Sequence, residues 1–163
     1  MMTYKIVLGA TLLVTALIAG LFYAWSCSVN PGLHRLADVE YIRAMQQLNR
    51  AIINPVFMAS FMGTLIMMPI CTFVVYKHTG TSITFWLILA AALLYIIGSF
   101  GVTMGGNVPL NDALDKFDVQ SATMQEIRAF RIQFEMPWNR LHTVRTIANI
   151  LSLLFAIGAA LFK

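Results

Sequence analysis

Charge is what this chain has least of: Lys, Arg, Asp and Glu together make up 11% of its 163 residues, where a soluble domain carries about 25%. With a hydrophobic share of 59% and a mean hydropathy of +0.75, the chain belongs in a bilayer. The net charge of +4 comes from scattered residues without a basic run, which gives no reason to expect nucleic acid as a partner. Cysteine is confined to Cys27 and Cys71, and neither CxxC nor HxxxH spacing occurs, so no zinc or iron motif is ready-made. The two halves share no repeat and no charge falls at mid-span, which argues against a transporter. The length allows a single bundle.

What is there is apolar length. Runs at residues 6–27, 56–76, 83–104 and 141–162 each give roughly 31–33 Å of helix, enough for a hydrocarbon core of about 30 Å. The expected architecture is all-α, an integral membrane four-helix bundle forming one domain over residues 1–163. Short helices and a polar cap from residues 28–50 and 107–140 close one end. The first run is too long for a secretory leader, and Leu21-Phe22-Tyr23-Ala24-Trp25 stands where cleavage needs small residues, so it reads as a retained helix. Tyr23 and Trp25 suit the interfacial aromatic belt.

Between the spans, Asn30-Pro31-Gly32 reads as a turn. Leu33, Leu36, Tyr41, Met45, Leu48 and Ile52 then recur at helical spacing, giving an amphipathic helix that either lies on the membrane surface or leads into the second span. Asn54-Pro55 marks a new helix start. Pro69 is expected to bend the second span, and Met58, Met62, Met67 and Met68 make it soft. Gly105-Gly106 permits either a sharp exit from the third span or a close backbone approach. Thr123-x-x-Glu126 has the form of a capping box opening a helix with Ile127, Phe130 and Phe134 on one face. Cys27 and Cys71 lie at opposite ends of the bundle, roughly 24 Å apart, and cannot pair.

Four antiparallel spans gather all seven acidic residues and eight of the eleven basic ones at one end. At helical spacing His142, Arg145, Asn149 and Ser152 share one face of the last span. Arg145 falls at the edge of the hydrocarbon, where an ionised side chain is costly and faces protein. Two readings are open for the stripe: a ligand site, or interhelical hydrogen-bond glue with Arg145 snorkelling to headgroups. Asn49, Arg50, Asn107 and Asn111 also flank spans at this end and converge with His142 and Arg145 around one mouth. A metal site from His34 and His142 with Asp38, Glu40 or Glu135 is the rival chemistry.

Ala19-Gly20-Leu21-Phe22 with Pro31, Met45 through Phe57, Asn107-Val108-Pro109-Leu110-Asn111-Asp112-Ala113-Leu114, and Trp138 with Arg145-Thr146 together resemble the anthrone oxygenase-like family of small four-span membrane proteins. The resemblance implies a cofactor-independent oxygenase of anthrone-like or other aromatic or quinol substrates, oxidising an anthrone to an anthraquinone. The chemistry needs a proton removed, an enolate stabilised and dioxygen admitted to an apolar pocket, with no metal or cofactor required in principle. In that scheme His142 is the base and Arg145, aided by Asn107 or Asn111, holds the oxyanion. Asn49, Arg50, Asn107, Asn111, Trp138 and Asn149 are the expected substrate contacts. His142 is a departure, since the family commonly carries asparagine there. The alternative is a non-catalytic protein that binds a hydrophobic small molecule, a membrane partner or a second copy of itself. A multi-pass protein of a cell membrane, the bacterial inner membrane, is expected. The eight-to-three count of basic residues favours a cytoplasmic mouth, whereas the resemblance, through Lys77-His78, implies cytoplasmic termini.

Overall fold

The computed structural model of the chain describes residues 2–162. Among them the fold consists of five helices without a strand: α1 (Thr3–His34), α2 (Asp38–Ile52), α3 (Pro55–Thr79), α4 (Ile83–Lys116) and α5 (Met124–Leu161). All but α2 are long and apolar enough to cross a membrane. The chain is a multi-pass membrane protein; the first three expected spans lie within these helices, and the fourth does so up to Leu161, with Phe162 as an extended cap.

The helix starts follow local chemistry. Asn54 accepts from the N–H groups of Val56 and Phe57 at 3.0 Å, with Pro55 in the first turn of α3. Ser82 caps α4 through Phe85 N–H at 3.3 Å, and the Thr123–Glu126 capping box opens α5. Gly80, at φ 63°, ends α3 in a conformation that favours glycine.

The turn expected at Asn30-Pro31-Gly32 is absent, and of the two readings open for Gly105-Gly106 the sharp exit is not taken. Helix α1 runs through Asn30-Pro31-Gly32, and α4 runs through Gly105-Gly106. Both helices absorb the disturbance by widening. Over Trp25–Val29 and Thr103–Asn107 the turns loosen until Asn30 N–H bonds Trp25 O and Val108 N–H bonds Thr103 O, five residues back. A proline ring collides with the carbonyl four residues behind it. For Pro31 and Pro109 those carbonyls belong to Cys27 and Gly105, inside the widened stretches, so the chain continues. Gly98 and Gly106 serve approach. A Cβ on Gly98 would meet Ala148 Cβ at 2.6 Å, so α4 and α5 close to backbone distance there, and one on Gly106 would meet Leu141 Cδ1 at 2.8 Å, the end of a side chain that fills the space over it. The capping-box helix is likewise continuous with the last span.

Two apolar cores result. One lies among the spans, around Phe22, Phe61, Met68, Ile88 and Tyr95. The other fills the cap, where Tyr41, Ile42 and Met45 of α2 meet Leu33, Leu114, Ile127 and Phe134. The amphipathic stripe is therefore spent on the cap rather than on a lipid surface. Arg131 clasps this layer. Its guanidinium donates to Asp38 at 2.9 Å and Glu135 at 2.8 Å, and to the carbonyls of Leu36 at 2.8 Å and His34 at 3.0 Å, which end α1. It also lies over the Tyr41 ring; burial, with Glu135 nearby, raises that phenol above its ordinary range. Cys27 is exposed, Cys71 is buried, and both are free.

Candidate functional site

Where the two cores meet, the helices leave a cavity of about 490 Å³, within the range of roughly 300–1,000 Å³ that takes a small organic ligand. Most of its wall is apolar: Leu21 and Phe22 of α1, Phe57, Phe61 and Met62 of α3, and Phe100 of α4. A few polar groups converge on it, namely Trp25, Asn49, Thr103, Asn111 and Arg145, with Arg50, Asp112 and Asp115 toward the cap.

Arg145 dominates the electrostatics. It is 8% exposed, and no carboxylate among the described residues lies within ion-pair distance of it. Its guanidinium lies 4.3 Å from the centre of the Phe22 ring and 5.1 Å from that of Trp138, which supplies cation–π attraction without neutralising the charge. Nε and Nη2 both reach His142 Nδ1, at 3.1 and 2.9 Å, and Nη1 reaches Thr103 Oγ1 at 3.5 Å.

That geometry fixes the proton on His142. Because Nδ1 accepts from Arg145, it carries no hydrogen, so the neutral ring holds its proton on Nε2. Around Nε2, Ser26 Oγ stands at 3.0 Å and Thr146 Oγ1 at 3.4 Å. The Ser26 hydroxyl donates to Phe22 O at 3.0 Å and that of Thr146 to His142 O at 2.7 Å, leaving lone pairs to receive Nε2–H. Hydrogen bonds therefore run from Arg145 through His142 and Ser26 to a backbone carbonyl. A serine nucleophile needs the opposite polarity, with histidine taking its proton. His142 is 1% exposed, is sandwiched against Trp138 at 5.1 Å, and stands behind Arg145 rather than on the cavity wall.

The other expected residues divide. Asn49, Arg50, Asn111 and Trp138 line the cavity with Arg145; Trp138 Nε1 donates to Asn111 Oδ1 at 2.7 Å. Asn107 and Asn149 do not. Asn107 Nδ2 donates to Trp138 O at 3.3 Å and Asn149 Nδ2 to Ser99 Oγ at 2.6 Å. With Ser152 bonding Ala91 O at 2.8 Å, the lower part of the polar stripe ties α5 to α4, and only its upper end reaches a cavity. His34 sits in the cap network on Glu135 at 2.7 Å, in a different cluster from His142. Among the described residues no three His, Cys, Asp or Glu side chains are grouped to hold a metal. Two donors on the wall are buried without an acceptor: Trp25 Nε1 and Asn49 Nδ2.

Sequence reasoning missed Trp25, Ser26 and Thr103. Trp25 read as an interfacial anchor, and the widened turns that bring Ser26 and Thr103 to Arg145 and His142 leave no composition signal. A family model described as anthrone oxygenase matches residues 56–155, more than half of the chain. The chain belongs to the anthrone oxygenase family. No curated protein and no solved structure matches it. Trp138, His142, Arg145 and the phenylalanines of α3 and α4 fall inside the matched stretch, whereas Trp25, Ser26, Asn49 and Arg50 precede it.

Proposed function

We propose that the chain is a membrane-embedded oxygenase that converts an anthrone-like hydroxyaromatic to a quinone with dioxygen, without a bound cofactor. One observation carries this reading beyond the family's name: a buried guanidinium without a carboxylate partner on the wall of an apolar cavity. Such a site favours an anionic oxygen on an otherwise apolar ring, because a fixed charge in a dry cavity needs no reorganisation when the anion forms. In the reaction, the activated CH2 loses a proton and Arg145 holds the resulting enolate oxygen. The enolate passes an electron to dioxygen, the radical pair combines into a carbon-bound peroxide, and loss of the second proton with O–O cleavage leaves a carbonyl and water. The overall balance is CH2 plus O2 to C=O plus H2O.

His142 serves this site by aiming Arg145, since its lone pair is already engaged. For the first proton, Asp112 is the better-placed acceptor: it shares the cavity wall and makes no ion pair among the described residues. The engaged state of His142 also favours a second reading, a protein that binds a hydroxyaromatic and performs no chemistry on it. Aerobic turnover of a synthetic anthrone by purified protein in detergent, followed by quinone absorbance, separates the two. The oxygenase reading expects wild-type turnover above the spontaneous rate, lowered at least about a hundredfold in Arg145→Ala. Binding without turnover in the wild type overturns it.

A further inference from the structure

The cavity wall has two stretches of opposite character. Toward the cap, Arg50 Nε and Asp115 Oδ1 pair at 2.6 Å, and both residues also line a neighbouring polar basin of about 440 Å³ with Arg43, Gln46, Lys116 and Asp118. The ion pair is thus a partition between water and the apolar space. Elsewhere on its wall, Met58 and Met104, with Ile53 just past the end of α2, also belong to the outer surface, 39%, 49% and 74% exposed. Met58 lies in the first turn of a membrane-crossing helix and Met104 in the upper part of another. The Asn54-Pro55 break sets Ile53 between helices, at φ −80° and ψ 75°. Apolar side chains exposed at that level face lipid. Elsewhere on the wall, Arg145 carries a charge that no carboxylate among the described residues pairs, and Trp25 Nε1 and Asn49 Nδ2 are donors without an acceptor; buried donors without acceptors are costly.

We propose that the ligand is a planar hydroxyaromatic dissolved in the bilayer, which enters sideways past Ile53, Met58 and Met104 and sets its oxygenated edge against Arg145, Trp25 and Asn49. The Arg50–Asp115 pair closes the aqueous side. This rests on the reading of the cavity as the substrate site, and adds the source of the ligand and its orientation.

The full chain has three tryptophans, two of them, Trp25 and Trp138, on the cavity wall, so a Trp86→Phe background reports on the cavity. In phosphatidylcholine vesicles, stopped-flow quenching by 1,8-dihydroxyanthraquinone is expected to saturate. Ile53→Phe with Met104→Phe should slow association and dissociation together by about tenfold, with affinity nearly unchanged, because a narrowed route alters rates and not the bound state. Ile53→Ala with Met104→Ala should speed both, which separates a route effect from misfolding. Arg50→Gln should speed binding of water-borne anthraquinone-2-sulfonate more than it changes the rates of the lipid-soluble probe. Portal variants that change neither rate, or a lipid-soluble probe accelerated only by Arg50→Gln, overturn the proposal, as does absence of saturable quenching. Anthrone turnover measured alongside keeps the two readings apart. Turnover with indifferent portal variants sinks lateral access alone, whereas portal-sensitive binding without turnover sinks the oxygenase.

Discussion

Replacing His142 by aspartate tests whether the site depends on an uncompensated Arg145. The imidazole accepts two guanidinium N–H groups at 3.1 and 2.9 Å while leaving the full positive charge facing the cavity. An aspartate carboxylate at this position would take the same bonds and cancel that charge. An anion about 4 Å from the guanidinium gains roughly 4 kcal/mol at an effective dielectric of about 20, so the ceiling on lost affinity is about a thousandfold. Incomplete overlap of the carboxylate with the charge it cancels brings the expected loss to at least about tenfold. Stability should move the other way or hold, since the new pair supplies the buried guanidinium with the counter-charge it lacks. His142→Asn is the control: its Oδ1 stands where Nδ1 stood, so it keeps an acceptor for Arg145 and should retain binding within about threefold. Titration of 1,8-dihydroxyanthraquinone at a pH where it is ionised, beside thermal unfolding in the same detergent, reads both quantities. His142→Asp protein that binds the ionised probe as tightly as wild type would refute the reasoning.

Two further substitutions probe the frame. Gly98→Ala places a Cβ at 2.6 Å from that of Ala148 and should cost about 1–3 kcal/mol by overpacking, seen as a lower Tm. Adding Ala148→Gly should recover most of it, and failure to recover would mean that α4 and α5 do not cross as described. Arg131→Ala strands Asp38, Glu135 and two carbonyls and should cost about 3–5 kcal/mol, as for a broken buried ion pair. Hydrogen exchange should rise across residues 34–38 and leave the lower spans protected; uniform exchange throughout would contradict a separate cap core.

The fold was legible because a bilayer imposes so much. Four apolar runs long enough to span admit little besides a bundle, and the sorting of acidic residues to one end identified the capped end. The helix interruptions were not legible. Asn30-Pro31-Gly32 carries strong turn chemistry and Gly105-Gly106 allows either an exit or a close approach, and a local reading has no knowledge of a neighbouring segment that can widen by one residue and let the helix continue. The stripe His142, Arg145, Asn149 and Ser152 was visible as a face, but periodicity cannot say where along it bonding to α4 gives way to a cavity. That transition depends on Ser99 being present opposite Asn149, and on only a hydroxyl, Thr103, standing opposite Arg145. His142 looked like a base for its titration range alone, and its withdrawal behind Arg145 follows from contacts with Ser26 some 116 positions away in sequence.

Helix α5 carries two buried arginines about four turns apart, and the contrast between them is the strongest internal argument for a site. Arg131 is 8% exposed and meets two carboxylates and two backbone carbonyls; its donors are met and its charge is more than balanced. Arg145 has the same exposure but is given a neutral imidazole, a distant hydroxyl and two aromatic faces. Burying a guanidinium is expensive in either place, and the same chain shows at Arg131 that carboxylates and carbonyls can be brought to an arginine when stability alone is at stake. At Arg145 the surrounding groups steady the side chain while conserving its charge, and the cavity beside it adds two more unsatisfied donors. An anionic oxygen on an apolar ring would supply the counter-charge that Arg145 lacks, and no side chain among the described residues does so.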